Sequence, residues 1–438
     1  MSSAVRPARS HHRQATRRPF SLSQFPRNLL LRLGFEVRTQ SHSASGAGGV
    51  SSASRIRKTV IAMPRDYIRR RRLTRNIKTF LIMAVLSVGA AYVITRPIGG
   101  SGFSIPAEAQ RAAAQPGVAS RPLRAIIDGS GYGVADGPLV VSEISDLVLH
   151  DAKRNKRLHI RLFYPVKADK YPIIVFSHGA GGSQDCCDSL TRHWASYGYI
   201  TIQPTHADSA LQRRNAGDEH IGFLQAVREA LKKPELWQSR PEDISFVLDS
   251  LAELQRRIPE LAGEINTSRI GVGGHSMGSY TAEAMAGALI DLPNRKGTSF
   301  LDPRVRAVLC LSPQGPGQFG LKEHSFDRIA LPYLGVTGSL DSLGPLASPT
   351  WHRVPFDRSA PGDKYHLLIQ GANHMSFISA SAALPAPRSQ AEDILGYTNS
   401  ASLAFWDAYL KGDPAAKDYL ASNRLEIQSH NAVKLDHR

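Results

Sequence analysis

Ser276 sits in the stretch Gly274-His275-Ser276-Met277-Gly278, directly after the apolar run Arg269-Ile270-Gly271-Val272. A serine with glycines two residues to either side, placed where a strand gives way to a helix, suits a nucleophile raised on a sharp turn; the glycines let backbone approach where a side chain would clash. A serine hydroxyl is a weak nucleophile at neutral pH. It needs a histidine to take its proton and a carboxylate to fix that histidine's tautomer and stabilise the imidazolium. His374, in IQGANHMSF, follows a late strand and can supply the base. The turn after the strand ending at Ser312, PQGPGQFG, contains no acid, whereas the next strand runs into TGSLDSLG and offers Asp341. Asp302 and Asp327 precede their strands and so fall at the wrong end of a sheet.

A developing oxyanion needs preorganised donors. The backbone N–H of Met277, after the nucleophile, is one candidate, and FSHGAGGS (Phe176 to Ser183) offers a second in Ala180, with Gly179 as the alternative. Gly179 and His275 would border the substrate, and Phe319 and Trp351, on loops beyond the later strands, could line an acyl pocket. Competing motifs fail. FSHGAGGS lacks the Lys-Ser/Thr ending of a phosphate loop, and GVGGHS has Ser276 where a dinucleotide fingerprint wants its third glycine. No metal-ligand spacing appears and His11-His12 is isolated, so neither a metal nor another cofactor is expected. The three cysteines, Cys186, Cys187 and Cys310, give no disulfide framework.

These residues need a sheet to bring them together. The runs Arg157–Val166, Tyr171–His178, Tyr199–His206, Arg269–Ser276, Val305–Ser312, Tyr333–Ser339 and Lys364–Gly371 read as strands, several of them apolar enough to be buried on both faces. Between them DSLTRHWASYG, PEDISFVLDSLAEL, SYTAEAMAGALI and SLAFWDAYLKG read as helices. That alternation predicts an α/β fold, a mostly parallel central sheet with helices on both faces, whose function gathers at the carboxyl ends of the strands. Residues 207–239 read as an insertion able to form a partial lid or a wall of the cleft.

The chain has 438 residues, is 42% hydrophobic and carries a net charge of +17. Residues 1–78 hold 18 Lys and Arg against only Glu36 and Asp66, so the rest of the chain is close to neutral. The basicity therefore belongs to a tail and does not argue for a nucleic-acid partner. Residues 1–78, rich in Arg, Ser, His and Gly, have the composition of a targeting or disordered segment. Residues 79–95 contain the apolar run Phe80–Ile94 behind Arg69–Arg72, Arg75 and Lys78, the arrangement of a signal h-region or a membrane anchor; Met63 offers an alternative start just before it. The positive flank would send the chain beyond Thr95 across the membrane, so an exported catalytic domain, periplasmic, extracellular or membrane-anchored, is expected. A linker is expected over 96–138, a catalytic domain over 139–425 and a C-terminal tail over 426–438.

YPIIVFSHGAGGS, RPEDISFVLDSL, RIGVGGHSMGSYTA and GANHMSF together resemble bacterial serine α/β-hydrolases of the predicted dienelactone hydrolase group, which in turn resemble the secreted platelet-activating-factor acetylhydrolases and bacterial polyester hydrolases. The resemblance covers about residues 140–412. It implies the α/β-hydrolase fold and a Ser276, Asp341, His374 triad that cleaves a small-molecule carboxylic ester through an acyl-enzyme. Serine stands here where true dienelactone hydrolases have cysteine, and the acetylhydrolases take their acid after the preceding strand. A thioesterase or peptidase on the same machinery, or a non-catalytic binding protein on the same fold, are the other readings of this pattern.

Overall fold

The computed structural model describes residues 127–128, 131–218, 220–343, 347–378 and 388–438. Nine strands form one sheet: β1 (Val141–Asp151), β2 (Lys156–Pro165), β3 (Tyr171–Ser177), β4 (Ile200–Pro204), β5 (Ile265–His275), β6 (Val305–Leu311), β7 (Tyr333–Gly338), β8 (Lys364–Ile369) and β9 (Val433–His437). Their spatial order is β1-β2-β4-β3-β5-β6-β7-β8-β9. From β4 to β8 every neighbouring pair is parallel, and β1, β2 and β9 are joined antiparallel at the two ends. This is the mostly parallel, helix-covered sheet that the alternating pattern predicts.

The central strands are buried along their whole length, as their continuous apolar sequences require: β3, β4 and β7 contain no exposed residue. Ile173, Val175, Ile200, Ile202, Ile270 and Val272 pack into one core layer. Phe176, Leu309, Leu311, Val336 and Leu367 face the other, where Trp194 and Trp406 meet edge-on at 5.8 Å. Gly271 is small because that second tryptophan lies against it: a Cβ there would overlap the Trp406 ring.

After β3 the chain turns to β4 on one side, while β5 lies on the other. The loops leaving β3 and β5 therefore diverge at the middle of the sheet. Such a switch point opens a crevice beyond the carboxyl ends of the strands.

Two boundaries differ from those the sequence suggests. Residues 426–438 are no tail: β9 pairs antiparallel with β8 from Tyr365↔His437 to Ile369↔Val433 and closes that edge of the sheet. Within the expected linker 96–138, residues 131–138 contribute to the folded body, while 96–126 lie outside the described residues. Tyr132 is buried, and its hydroxyl donates to Asp407 Oδ2 at 2.9 Å. Residues 207–239 carry helices α1 (Ala210–Asn215) and α2 (Phe223–Ala230), and α3 (Pro234–Asp249) begins within them. Helix α3 runs through Pro241, whose ring removes one helical N–H. The carbonyl that this leaves, on Trp237, accepts from the Tyr280 hydroxyl at 3.3 Å.

Among the described residues no helix is long and apolar enough to cross a membrane. The basic tail 1–78 and the expected signal or anchor at 79–95 lie outside the described residues.

Candidate active site

Ser276 is the residue between β5 and the helix α4 (Met277–Met285), with φ 56° and ψ −117°. A non-glycine residue at positive φ is strained, and such strain persists only where the surroundings hold it. Here Ser276 N–H donates to the Leu311 carbonyl of β6 at 2.9 Å, and its own carbonyl accepts from Ser279 at 2.9 Å. Both flanking glycines are sterically required. A Cβ on Gly274 would overlap the backbone of Gly278, and one on Gly278 would overlap the Ser177 carbonyl at the end of β3. Ser276 is partly exposed, and its hydroxyl makes no hydrogen bond among the described residues.

Asp341 and His374 meet. His374 Nδ1 lies 2.9 Å from Asp341 Oδ1. The carboxylate can only accept, so Nδ1 carries the proton and Nε2 is left as the basic nitrogen. Two backbone bonds clamp the acid loop onto the base loop, Ser339 N–H to the Ile369 carbonyl and Leu340 N–H to the Ala372 carbonyl, both 2.9 Å. Gly338 permits this, since a Cβ there would overlap the Ala372 carbonyl. Asp341 Oδ2 accepts from Ser312 Oγ at 2.6 Å and Thr337 Oγ1 at 3.1 Å. Ser312 closes β6, at the position the sequence leaves without an acid, and its hydroxyl reaches across to the acid supplied by β7.

The base loop is also tied to the nucleophile turn. His275 Nε2 donates to the His374 carbonyl at 2.8 Å, and the two rings lie 4.9 Å apart. Burial and the neighbouring His374 push His275 down to about 3, so it stays a neutral tether.

Beside Ser276 runs the loop after β3. A Cβ on Gly179 would stand 3.5 Å from Ser276 Cβ, so that loop flanks the serine directly. Gly181 N–H donates to Asp208 at 2.9 Å and Gly182 N–H to the Gly179 carbonyl at 3.1 Å. Among the described residues, Gly179, Ala180 and Met277 keep N–H groups that no backbone carbonyl takes.

The loop is held from behind by a side chain the sequence does not single out. Arg240 is fully buried; its guanidinium pairs with Asp208 at 2.8 and 3.0 Å and donates to the carbonyls of His178 at 2.7 Å and Gly179 at 3.2 Å. With both carbonyls fixed toward Arg240, planar trans peptides turn the Gly179 and Ala180 N–H groups away from it. Burial would raise the Asp208 carboxyl, but the Arg240 charge holds it far below its ordinary range. His178, pushed down to about 4 by burial and then by Arg240, is neutral. Its Nδ1 donates to the Gly179 carbonyl at 2.6 Å, and its Nε2 accepts from His206 N–H at 3.0 Å.

The same network contains a second Ser-His-Asp arrangement. Ser177 Oγ lies 2.9 Å from His206 Nε2, and His206 Nδ1 lies 2.9 Å from Asp243 Oδ2. All three residues are completely buried, and Asp243 is also neutralised by Lys156 at 2.6 Å. No substrate reaches that serine, which serves to anchor the end of β3.

Of the other expected substrate contacts, Phe319 is buried with its ring on Tyr280 at 5.2 Å and Trp237 at 5.9 Å. Trp351 is half-buried, its indole N–H bonded to the Pro316 carbonyl at 2.9 Å. Asp341, His352 and His374 each offer a donor atom within 4.8 Å of the others, the grouping among the described residues that could approach a cation. Both ring nitrogens concerned face the carboxylate, which accounts for the cluster without an ion.

Residues 135–220 match the family model of platelet-activating factor acetylhydrolase, isoform II. The matched segment runs through β1 to β4 and includes the loop at Gly179 and Ala180, with Asp208 behind it. It ends before the nucleophile turn. No curated protein matches the chain. The chain is thus similar to the acetylhydrolase-like group of α/β-hydrolases, a likeness that points to ester hydrolysis in general.

Proposed function

We propose that the protein is a serine carboxylic-ester hydrolase that works through an acyl-enzyme. The observation that carries this reading is a strained, partly exposed serine at the sheet's switch point, next to His275, which is tied to the backbone of a buried imidazole–carboxylate pair, and flanked by the loop after β3. Ser276 attacks the ester carbonyl while His374 Nε2 takes its proton. Asp341 keeps the proton on Nδ1 and stabilises the imidazolium. The Met277 and Ala180 amides receive the oxyanion, an interaction worth about 10²–10³ in kcat per donor in comparable sites. His374 then protonates the departing alcohol, and water enters by the same route in reverse. The similarity to an esterase family over residues 135–220 supports the same class of reaction.

The test is turnover of a short-chain p-nitrophenyl ester. Ser276→Ala should abolish it while leaving the folded structure intact; retention of full activity would overturn the assignment.

A further inference from the structure

The carboxylate of Asp341 is shared by two histidines, and only one of them, His374, is the base. His352, on helix α5 (Pro349–Arg358), is buried beside Asp341 and approaches the same carboxylate oxygen as His374. Its Nδ1 stands 2.6 Å from the Pro313 carbonyl, and its Nε2 stands 3.1 Å from Asp341 Oδ1, out of line for a directed hydrogen bond. Both neighbours are acceptors only. A neutral ring would turn one bare lone pair toward an oxygen, whereas a doubly protonated ring sets an N–H near each acceptor. The His352 and His374 rings stack 6.1 Å apart at 29°, with the carboxylate bridging them.

We propose that His352 is carried as an imidazolium and is a positioning residue for the reaction: its charge offsets, at His374, that of the shared Asp341 carboxylate. The proposal rests on the reading of His374 as the base.

The groups around His352 favour that charge state. Burial opposes protonation, but the Asp341 charge outweighs it and raises the His352 imidazole above its ordinary value. Asp341, which burial alone would raise, is held well below the carboxylate range by His352 and then by His374. From the nucleophile turn His275 faces the cluster, and from β8 His366 does; both lie near 3, pushed down first by burial, and stay neutral. On His352's own helix Arg353 is turned to Asp436 and Asp357. Asp341 is the anionic group that His352 faces. Without the imidazolium that anion would act on His374 alone.

A unit charge about 6 Å away, at the effective dielectric of a protein interior, shifts a titration by about one to two pH units. The experiment is the pH profile of kcat/KM for p-nitrophenyl ester hydrolysis in the full chain, comparing wild type, His352→Gln and His352→Phe, with Ser276→Ala as the control. His352→Gln should move the acid limb upward by about one to two units, costing roughly tenfold to a hundredfold in rate on that limb, with recovery at higher pH. A limb that stays in place, with Ser276→Ala dead, overturns this proposal and leaves the esterase reading standing; an active Ser276→Ala overturns both. Should the variants fail to fold, the wild-type protein still decides. Its ¹⁵N NMR at neutral pH should show His352 with two ring N–H groups, and a neutral ring would refute the proposal. So would one metal ion copurifying per chain and lost in His352→Gln, because a ligating ring nitrogen carries no proton.

Discussion

Removing the Arg240 guanidinium should damage stability and catalysis by separable amounts. In Arg240→Met the Asp208 carboxylate, 1% exposed, loses its bidentate partner. Stranding one member of a buried pair costs about 3–5 kcal/mol. The His178 carbonyl loses its donor at the same time, for about 1–3 kcal/mol more. Against a total stability of about 5–15 kcal/mol the variant should fold, with a clearly lowered urea midpoint. The catalytic loss is distinct: once the carbonyls of residues 178 and 179 are released, the Ala180 N–H is no longer aimed, and kcat should fall by up to about 100-fold with KM little changed. The double variant Asp208→Asn/Arg240→Met tells the two effects apart. It removes the stranded charge, while the side-chain amide oxygen introduced in place of the carboxylate can still accept from Gly181 N–H, so urea stability should largely return. Activity should stay low, because nothing holds the two carbonyls. If kcat returns together with stability, Arg240 only compensates a charge and has no part in shaping the loop. Unchanged stability and kcat in Arg240→Met would refute the reasoning altogether.

Two further outcomes rest on the same geometry. Gly278→Ala should be destabilised by about 1–3 kcal/mol or more and lose most of its esterase activity, because its Cβ has no room against the Ser177 carbonyl; denaturant melts and initial rates check both. Asp208 and Asp341 have carboxyls lowered in the folded protein relative to the unfolded chain, so below about pH 4 the unfolded state binds more protons and folding weakens. Acid titration of the urea midpoint should therefore show stability intact above about pH 5 and falling as the pH drops below it; a flat profile down to about pH 3 would contradict the two ion pairs.

The strands that carry the site are readable where they are buried on both faces and hence mostly apolar: β3, β7, the Ile270–His275 half of β5 and the Leu367–Ile369 end of β8 announce themselves in this way. β1 escapes a reading by pattern because an edge strand such as VSEISDLVLHD is half exposed and mixes charge with apolar residues. β9, five residues with alternating burial, looks like a polar tail until β8 pairs with it. Ser276, Asp341 and His374 stand out because chain order and strand ends restrict the choices. Arg240, His206 and His352 give no local signal. A buried arginine is worth noticing only once Asp208, 32 residues earlier, is known to face it, and His352 gains meaning only from a carboxylate on another strand. Pro241 misleads more actively: it reads as a helix start, but the helix begins seven residues earlier at Pro234 and passes through it, with the Tyr280 hydroxyl taking the orphaned carbonyl.

The geometry also assigns different fates to two serines with similar neighbours. Ser177 has an imidazole and a carboxylate in line but no access, whereas Ser276 is partly exposed on a strained turn. Reaction of the folded protein with a fluorophosphonate probe, followed by proteolysis and mass mapping, tests this most directly. A single adduct on the peptide carrying Ser276, absent from Ser276→Ala, is the predicted result. No adduct, or one on Ser177 or any other residue, would contradict it.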